Sequence, residues 1–149
     1  MSNNLVKIIS TFFYMGYFPG APGSMASIAG VLIFMILFDS IVLYLLCLSV
    51  VMAAGIWASG KMEKLAGKKD PSCVVIDEVA GILIAFFLLP AQWPVIITAF
   101  FVFRAFDMFK IYPINRFEKL PGSWGIMMDD VVAGLYTNIV VHVALIILK

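Results

Sequence analysis

Five of the nine acidic residues in this 149-residue chain fall in three short stretches: Asp77-Glu78, Asp107 and Asp129-Asp130. Each stretch adjoins an apolar run. Hard cations such as Mg2+ take oxygen ligands, usually one or two carboxylates with water and substrate phosphate oxygens. Asp77, Glu78, Asp107, Asp129 and Asp130 are therefore candidate Mg2+ ligands and catalytic residues. Arg104, Asp107 and Lys110 follow at i, i+3, i+6 and fan over about a third of a helix circumference. That spacing lets Asp107 meet a metal while Arg104 and Lys110 flank it as phosphate clamps. The loop Pro19-Gly20-Ala21-Pro22-Gly23-Ser24 leads into an apolar run. Backbone N–H groups at Gly23 and Ser24 could meet a phosphate there, with the Ser24 hydroxyl as cap or direct donor. Together these residues suit metal-assisted chemistry on a phosphate.

Each feature also has a plainer reading. Carboxylates at a helix N-terminus meet the positive end of the macrodipole, which would account for Asp77, Glu78, Asp129 and Asp130. It does not account for Asp107 near a helix C-terminus, nor for two helices that each open with an acidic pair. Arg104 and Lys110 could form an intrahelical salt-bridge ladder and snorkel at an interface. The Gly/Pro loop could be a simple turn and N-cap. Asp70-Pro71 reads as an N-cap and first helical residue. His142, deep in the last apolar run, reads as a hydrogen-bonded packing residue. No Ser or Cys sits in a nucleophile motif. Ala26/Gly30, Gly81/Ala85 and Gly134 have the small side chains that let helices approach closely.

The elements that must position these groups are set by composition. Apolar residues make up 63% of the chain and charged residues 13%, about half the charged share of a soluble domain. Mean hydropathy is +1.06. The expected fold is a single all-α, polytopic membrane bundle over residues 1–149. The formal charge of +1 offers no basic surface for nucleic acid. Cys47 and Cys73 lack metal or redox spacing and read as small buried apolar residues. The N-terminal stretch lacks the apolar core and cleavage site of a signal peptide. Leu5, Ile8, Ile9, Phe12 and Phe13 instead share one helical face, which predicts an amphipathic interfacial helix.

Apolar runs at 24–38, 41–57, 74–89, 94–106 and 131–148 predict five spans. Asp39-Ser40 and the Pro90-to-Pro94 stretch would be turns between them. Merging the two runs around Pro90 into one kinked helix would leave four. With the N-terminus in the cytoplasm, five spans place nine of the ten Lys and Arg residues on the inner side, as the positive-inside rule asks.

Four ordered blocks resemble the phosphatidylglycerophosphatase A family of bacterial membrane lipid phosphatases. They are Gly16-Tyr17-Phe18-Pro19-Gly20-Ala21-Pro22-Gly23-Ser24, Val75-Ile76-Asp77-Glu78-Val79-Ala80-Gly81, Phe103-Arg104-Ala105-Phe106-Asp107-Met108-Phe109-Lys110 and Gly125-Ile126-Met127-Met128-Asp129-Asp130-Val131-Val132-Ala133-Gly134. Ser24 stands where the family usually has Thr, and Ala26 and Ile111 where Gly and Pro are commoner. The resemblance implies Mg2+-dependent hydrolysis of phosphatidylglycerophosphate to phosphatidylglycerol and inorganic phosphate. It implies a multi-pass protein of the bacterial cytoplasmic (inner) membrane with the active site facing the cytoplasm. One rival is a non-enzymatic divalent-cation carrier, which would place its acids near mid-membrane. Another is a CDP-alcohol phosphatidyltransferase, but residues 130–134 match only the start of that signature.

Overall fold

The computed structural model describes residues 2–149, and all regular secondary structure among them is helical. In chain order come α1 (Asn3–Ser10), a 3-10 turn (Met15–Tyr17), α2 (Pro22–Leu37), α3 (Ile41–Ala66), α4 (Ile76–Ala85), α5 (Trp93–Phe109), α6 (Ile114–Phe117) and α7 (Ser123–Ile147). The all-α expectation holds. Of these helices, α3 and α7 are long and apolar enough to cross a membrane, and α2 is a shorter apolar helix.

Local chemistry sets the boundaries. Ser2 caps α1 by accepting the Asn4 N–H at 3.2 Å. Phe12, Phe13 and Tyr14 then take positive φ and turn the chain, so the N-terminal helix stops short of Phe12 and Phe13. Its Val6 is buried and α1 packs along α3. Pro22 opens α2, where its fixed φ suits a first turn and its missing N–H costs nothing. Gly67, at φ +62, ends α3 in the left-handed conformation common after helices. That end lies well beyond Trp57, so Lys61 and Lys64 sit on the helix rather than in a loop. The Lys61 ammonium lies 4.1 Å from the centre of the Trp57 ring.

At the centre lies α4, surrounded by α2, α3, α5 and α7. Its Val79, Ala80, Ile82, Leu83 and Ala85 are all fully buried. The surrounding helices instead expose Leu32, Ile36, Val42, Leu46, Phe101, Ile139 and Ile146. Ten residues of helix rise only about 15 Å, half the ~30 Å of a hydrocarbon core. The 74–89 run therefore holds a short interior helix. Glu78 near the start of α4 bonds Arg104 near the end of α5, so the two helices run antiparallel through the turn at 86–92. One kinked helix through Pro90 does not form.

The far end of α4 is closed by side chains. The Tyr44 hydroxyl donates to the Leu83 carbonyl at 2.6 Å. Asn138 Nδ2 donates to the carbonyls of Ala85 and Phe87 at 3.0 and 2.8 Å. His142 Nδ1 lies 2.9 Å from the Asn138 carbonyl in its own helix, as a packing residue would. Cys47 and Cys73 are free thiols and only half-buried.

Helices α4 and α7 meet backbone to backbone. A Cβ on Gly134 would strike the Gly81 carbonyl oxygen, and one on Gly81 would come within 2.8 Å of the Asp130 carbonyl oxygen. Gly30 of α2 packs against the Ile82 side chain. Gly134→Ala should therefore push α7 off α4, at the roughly 1–3 kcal/mol typical of overpacking a tight core. Denaturant titration in detergent checks this, and unchanged stability would show that the contact yields freely.

Candidate active site

Where the start of α2, the start of α4, the end of α5 and the first third of α7 converge, they enclose a cavity of about 470 Å³. All five predicted acids line it or adjoin it: Asp77 and Glu78 from α4, Asp107 from α5, Asp129 and Asp130 from α7. They arrive by different local routes. Asp77 and Glu78 lie in the first turn of α4, where the dipole favours them. Asp129 and Asp130 do not open a helix, because α7 begins at Ser123. They sit about two turns inside it, buried to 4% and 2% exposure. The dipole effect fades within the first turn, so it does not explain them.

The acids form two groups that share Asp130. One oxygen each from Asp77, Asp129 and Asp130 lie within 4.8 Å of one another, and so do oxygens of Glu78, Asp107 and Asp130. Their partners differ. Arg104 Nη1 donates to Asp107 Oδ2 at 2.7 Å and also to Glu78 Oε2, so a guanidinium already sits in the second group. The Ser27 hydroxyl donates to the same Glu78 oxygen at 3.0 Å. In the first group, Asp129 Oδ1 accepts the Asp130 N–H at 2.9 Å, and Asp129 Oδ2 accepts from Lys110 at 2.7 Å. Asp77 Oδ1 is buried with no protein partner.

The Arg104–Asp107 pair is the intrahelical bridge that the plainer reading anticipated, but the ladder stops there. Lys110, just past the end of α5 at φ +45, turns to Asp129 and to Glu118 Oε1 at 3.1 Å. Burial alone would lower its pKa. Its hydrogen bonds and attraction to Asp129 and Glu118 outweigh that and hold the ammonium above its usual range. Lys110 is thus tied to carboxylates rather than left free as a phosphate clamp.

Helix α2 brings a different kind of group. Pro22 has no N–H, and first-turn N–H groups lack intrahelical acceptors, which leaves those of Gly23 and Ser24 as donors beside the cavity. Ala21 holds the cap position. Ser24 is therefore not the N-cap, and it lines the cavity wall from the third position of α2. A Cβ on Gly23 would collide with the Glu78 carboxylate.

Three site residues escape motif reading: Ser27, Glu118 and Asp70. The first two act through Glu78 and Lys110, and no spacing in the sequence marks those pairings. Asp70 lines the cavity at φ +47, where an N-cap and first helical residue had been expected at Asp70-Pro71. No helix starts there, since α4 begins at Ile76.

Six carboxylates, Asp70 included, face only Arg104 and Lys110 across the cavity. With Asp77, Asp129 and Asp130 buried and Glu78 and Asp107 half-buried, such an excess of negative charge is costly without a counter-cation. The oxygen-only donors around the unpartnered Asp77 Oδ1 fit a hard divalent ion.

A cleft of oxygen donors with a fixed guanidinium, at one end of an all-helical bundle with helices of membrane-crossing length, defines a class of small helical membrane proteins suited to anionic ligands. Sequence comparison narrows the class. A family profile described as Phosphatidylglycerophosphatase A matches residues 8–145, and the chain belongs to that family. A Bacteroides thetaiotaomicron protein provisionally named a phosphatidylinositol-3-phosphatase is 39% identical over 150 residues, covering 94% of this chain and 93% of that protein. Proteins named phosphatidylglycerophosphatase A from Haemophilus influenzae and Escherichia coli are 34% and 32% identical. Those alignments cover 93% and 89% of this chain and 87% and 79% of the relatives. No solved structure is significantly similar.

Proposed function

We propose that the protein is a Mg2+-dependent lipid phosphatase, hydrolysing phosphatidylglycerophosphate to phosphatidylglycerol and inorganic phosphate at the cytoplasmic face of a bacterial inner membrane. The observation that carries this is the meeting, in one cavity, of the Asp77–Asp129–Asp130 oxygen set with a carboxylate-held Arg104. Family membership supplies the reaction class. A cation carrier has no use for a fixed guanidinium or for free N–H groups at a helix start, and it would not gather its acids at one end of the bundle.

Asp77, Asp129 and Asp130 would hold the Mg2+, which when bound polarises the phosphate and lowers the pKa of a water. The protein's own groups do the rest. Glu78 and Asp107 grip one nitrogen of Arg104, leaving its other N–H groups to engage phosphate oxygens and stabilise charge in the transition state. Ser27 fixes Glu78, and so the guanidinium. Lys110 orients Asp129 and offsets part of the cavity's negative charge. Gly23 and Ser24 offer N–H groups to a phosphate oxygen, where the α2 dipole adds to the attraction. Acyl chains would stay in the bilayer while the headgroup reaches the cavity.

The direct test is phosphate release by purified protein in detergent, with and without Mg2+. Phosphatidylglycerophosphate and phosphatidylinositol 3-phosphate should be compared, since the relatives' names divide between them. Faster Mg2+-dependent release from phosphatidylglycerophosphate is expected. No release from either lipid would end the proposal.

In the proposed arrangement α2, α3, α5 and α7 cross the membrane, and α4 with its following turn makes the remaining pass inside them. Lys68→Cys or Lys119→Cys, in a variant lacking Cys47 and Cys73, should resist impermeant thiol reagents in intact cells and label in inverted vesicles. Gln92→Cys should do the opposite. Labelling of Lys68→Cys or Lys119→Cys from outside would put the site on the wrong leaflet.

A further inference from the structure

The proposed reaction leaves open which group takes the proton of the attacking water, and on that reading the cavity walls narrow the choice. Each carboxylate inside is already engaged or enclosed. Glu78 and Asp107 hold Arg104, and Asp129 holds Lys110. Asp77 and Asp130 lie buried in the oxygen set. Asp70, Asp77 and Asp130 have neither a salt bridge nor a side-chain hydrogen bond among the described residues, and of these three cavity carboxylates Asp70 is the exposed one.

Its position is equally specific. Asp70 belongs to the exposed segment at 67–70 between α3 and α4 and lines the cavity with Pro71 and Ser72. Phosphoryl transfer places the attacking and leaving oxygens roughly in line on opposite sides of phosphorus. The leaving oxygen belongs to a lipid anchored in the bilayer, so it faces the membrane. On the proposed topology the water then arrives from the opposite, cytoplasmic side, where the exposed 67–70 segment lies. The backbone here is held at φ +47, a conformation unusual for a non-glycine residue and one that clusters at functional sites.

We propose that Asp70 is the general base that orients the attacking water and takes its proton. The water oxygen bonds to phosphorus as the bond from phosphorus to the glycerol oxygen breaks. The water's proton passes to the Asp70 carboxylate and then to solvent. The departing glycerol oxygen takes a proton from solvent, so the proton count closes. Partial burial lifts the Asp70 carboxyl above its usual range and nearby Lys110 pulls it down, with Glu118, Glu63 and Asp107 adding to the rise. A more basic carboxylate suits the role.

The test is Asp70→Asn in the full chain, because Asn tolerates positive φ as well as Asp does and removes only the base. Phosphate release from phosphatidylglycerophosphate and from an aryl phosphomonoester with a far better leaving group is measured beside Mn2+ binding by electron paramagnetic resonance. We expect kcat to fall about 100-fold or more on both substrates, the range for losing a general base, with KM and Mn2+ affinity unchanged. Full activity overturns the assignment. Loss of Mn2+ binding overturns it too, by making Asp70 part of the metal site or a structural residue. Rescue by the aryl substrate would make Asp70 a proton donor to the leaving group. Wild-type protein that releases phosphate from neither substrate overturns the proposed function, and this assignment with it.

Discussion

Asp130→Asn should lower turnover by about 100-fold or more, the scale of losing one well-placed electrostatic group at a reacting centre. Asp130 is the residue common to both carboxylate groups and is 2% exposed. No other single change removes an oxygen ligand from both at once. Asn keeps the size and planar shape of the side chain, so the core around it is preserved. The same change removes one of several like charges packed together, and such repulsion is costly in a poorly hydrated interior. The variant should therefore be at least as stable as the parent without Mg2+, and should gain less when Mg2+ is added, since a ligand stabilises by its affinity for the folded state. Thermal unfolding with and without Mg2+, beside the phosphate assay, reads both effects. Normal turnover with an unchanged Mg2+ response would remove Asp130 from the metal site.

Arg104→Lys should be nearly as damaging as Arg104→Ala, also about 100-fold, although charge is conserved. Arg104 meets Glu78 and Asp107 through a single nitrogen, which leaves the rest of its planar fork for two phosphate oxygens. An ammonium is a point donor on a flexible stem and cannot hold both carboxylates and a phosphate in one plane. Phosphate inhibition should weaken in parallel with turnover. Restoration of full activity by Lys would make Arg104 a generic cation.

Much of this site was legible because its chemistry is written in residue types. A chain this poor in charge has few reasons to place acids beside apolar runs. The same hydropathy pattern misplaced the elements that carry those acids. It begins the last run at Val131, where the charges stop, whereas α7 begins at Ser123 and carries Asp129 and Asp130 inside it. Helix hydrogen bonding is indifferent to a carboxylate that finds a partner sideways, and Lys110 supplies one to Asp129. The shortness of α4 was hidden for a related reason. A helix apolar on every side can face lipid or be enclosed by protein, and composition does not distinguish the two. Asp70 was misread because Asp-Pro marks a turn as readily as a helix start.

The closed end of α4 bears on how such a sequence could be redesigned. Tyr44 and Asn138 stand among apolar neighbours and would be the first residues replaced by a scheme that scores membrane segments for greasiness. Yet their polar atoms answer carbonyls that a prematurely ended helix leaves bare where water is scarce. An apolar residue at either place would improve the score while exposing an unanswered dipole worth about 1–3 kcal/mol. In a bundle built around a truncated inner helix, the apparent blemishes on its apolar neighbours are what allow the truncation.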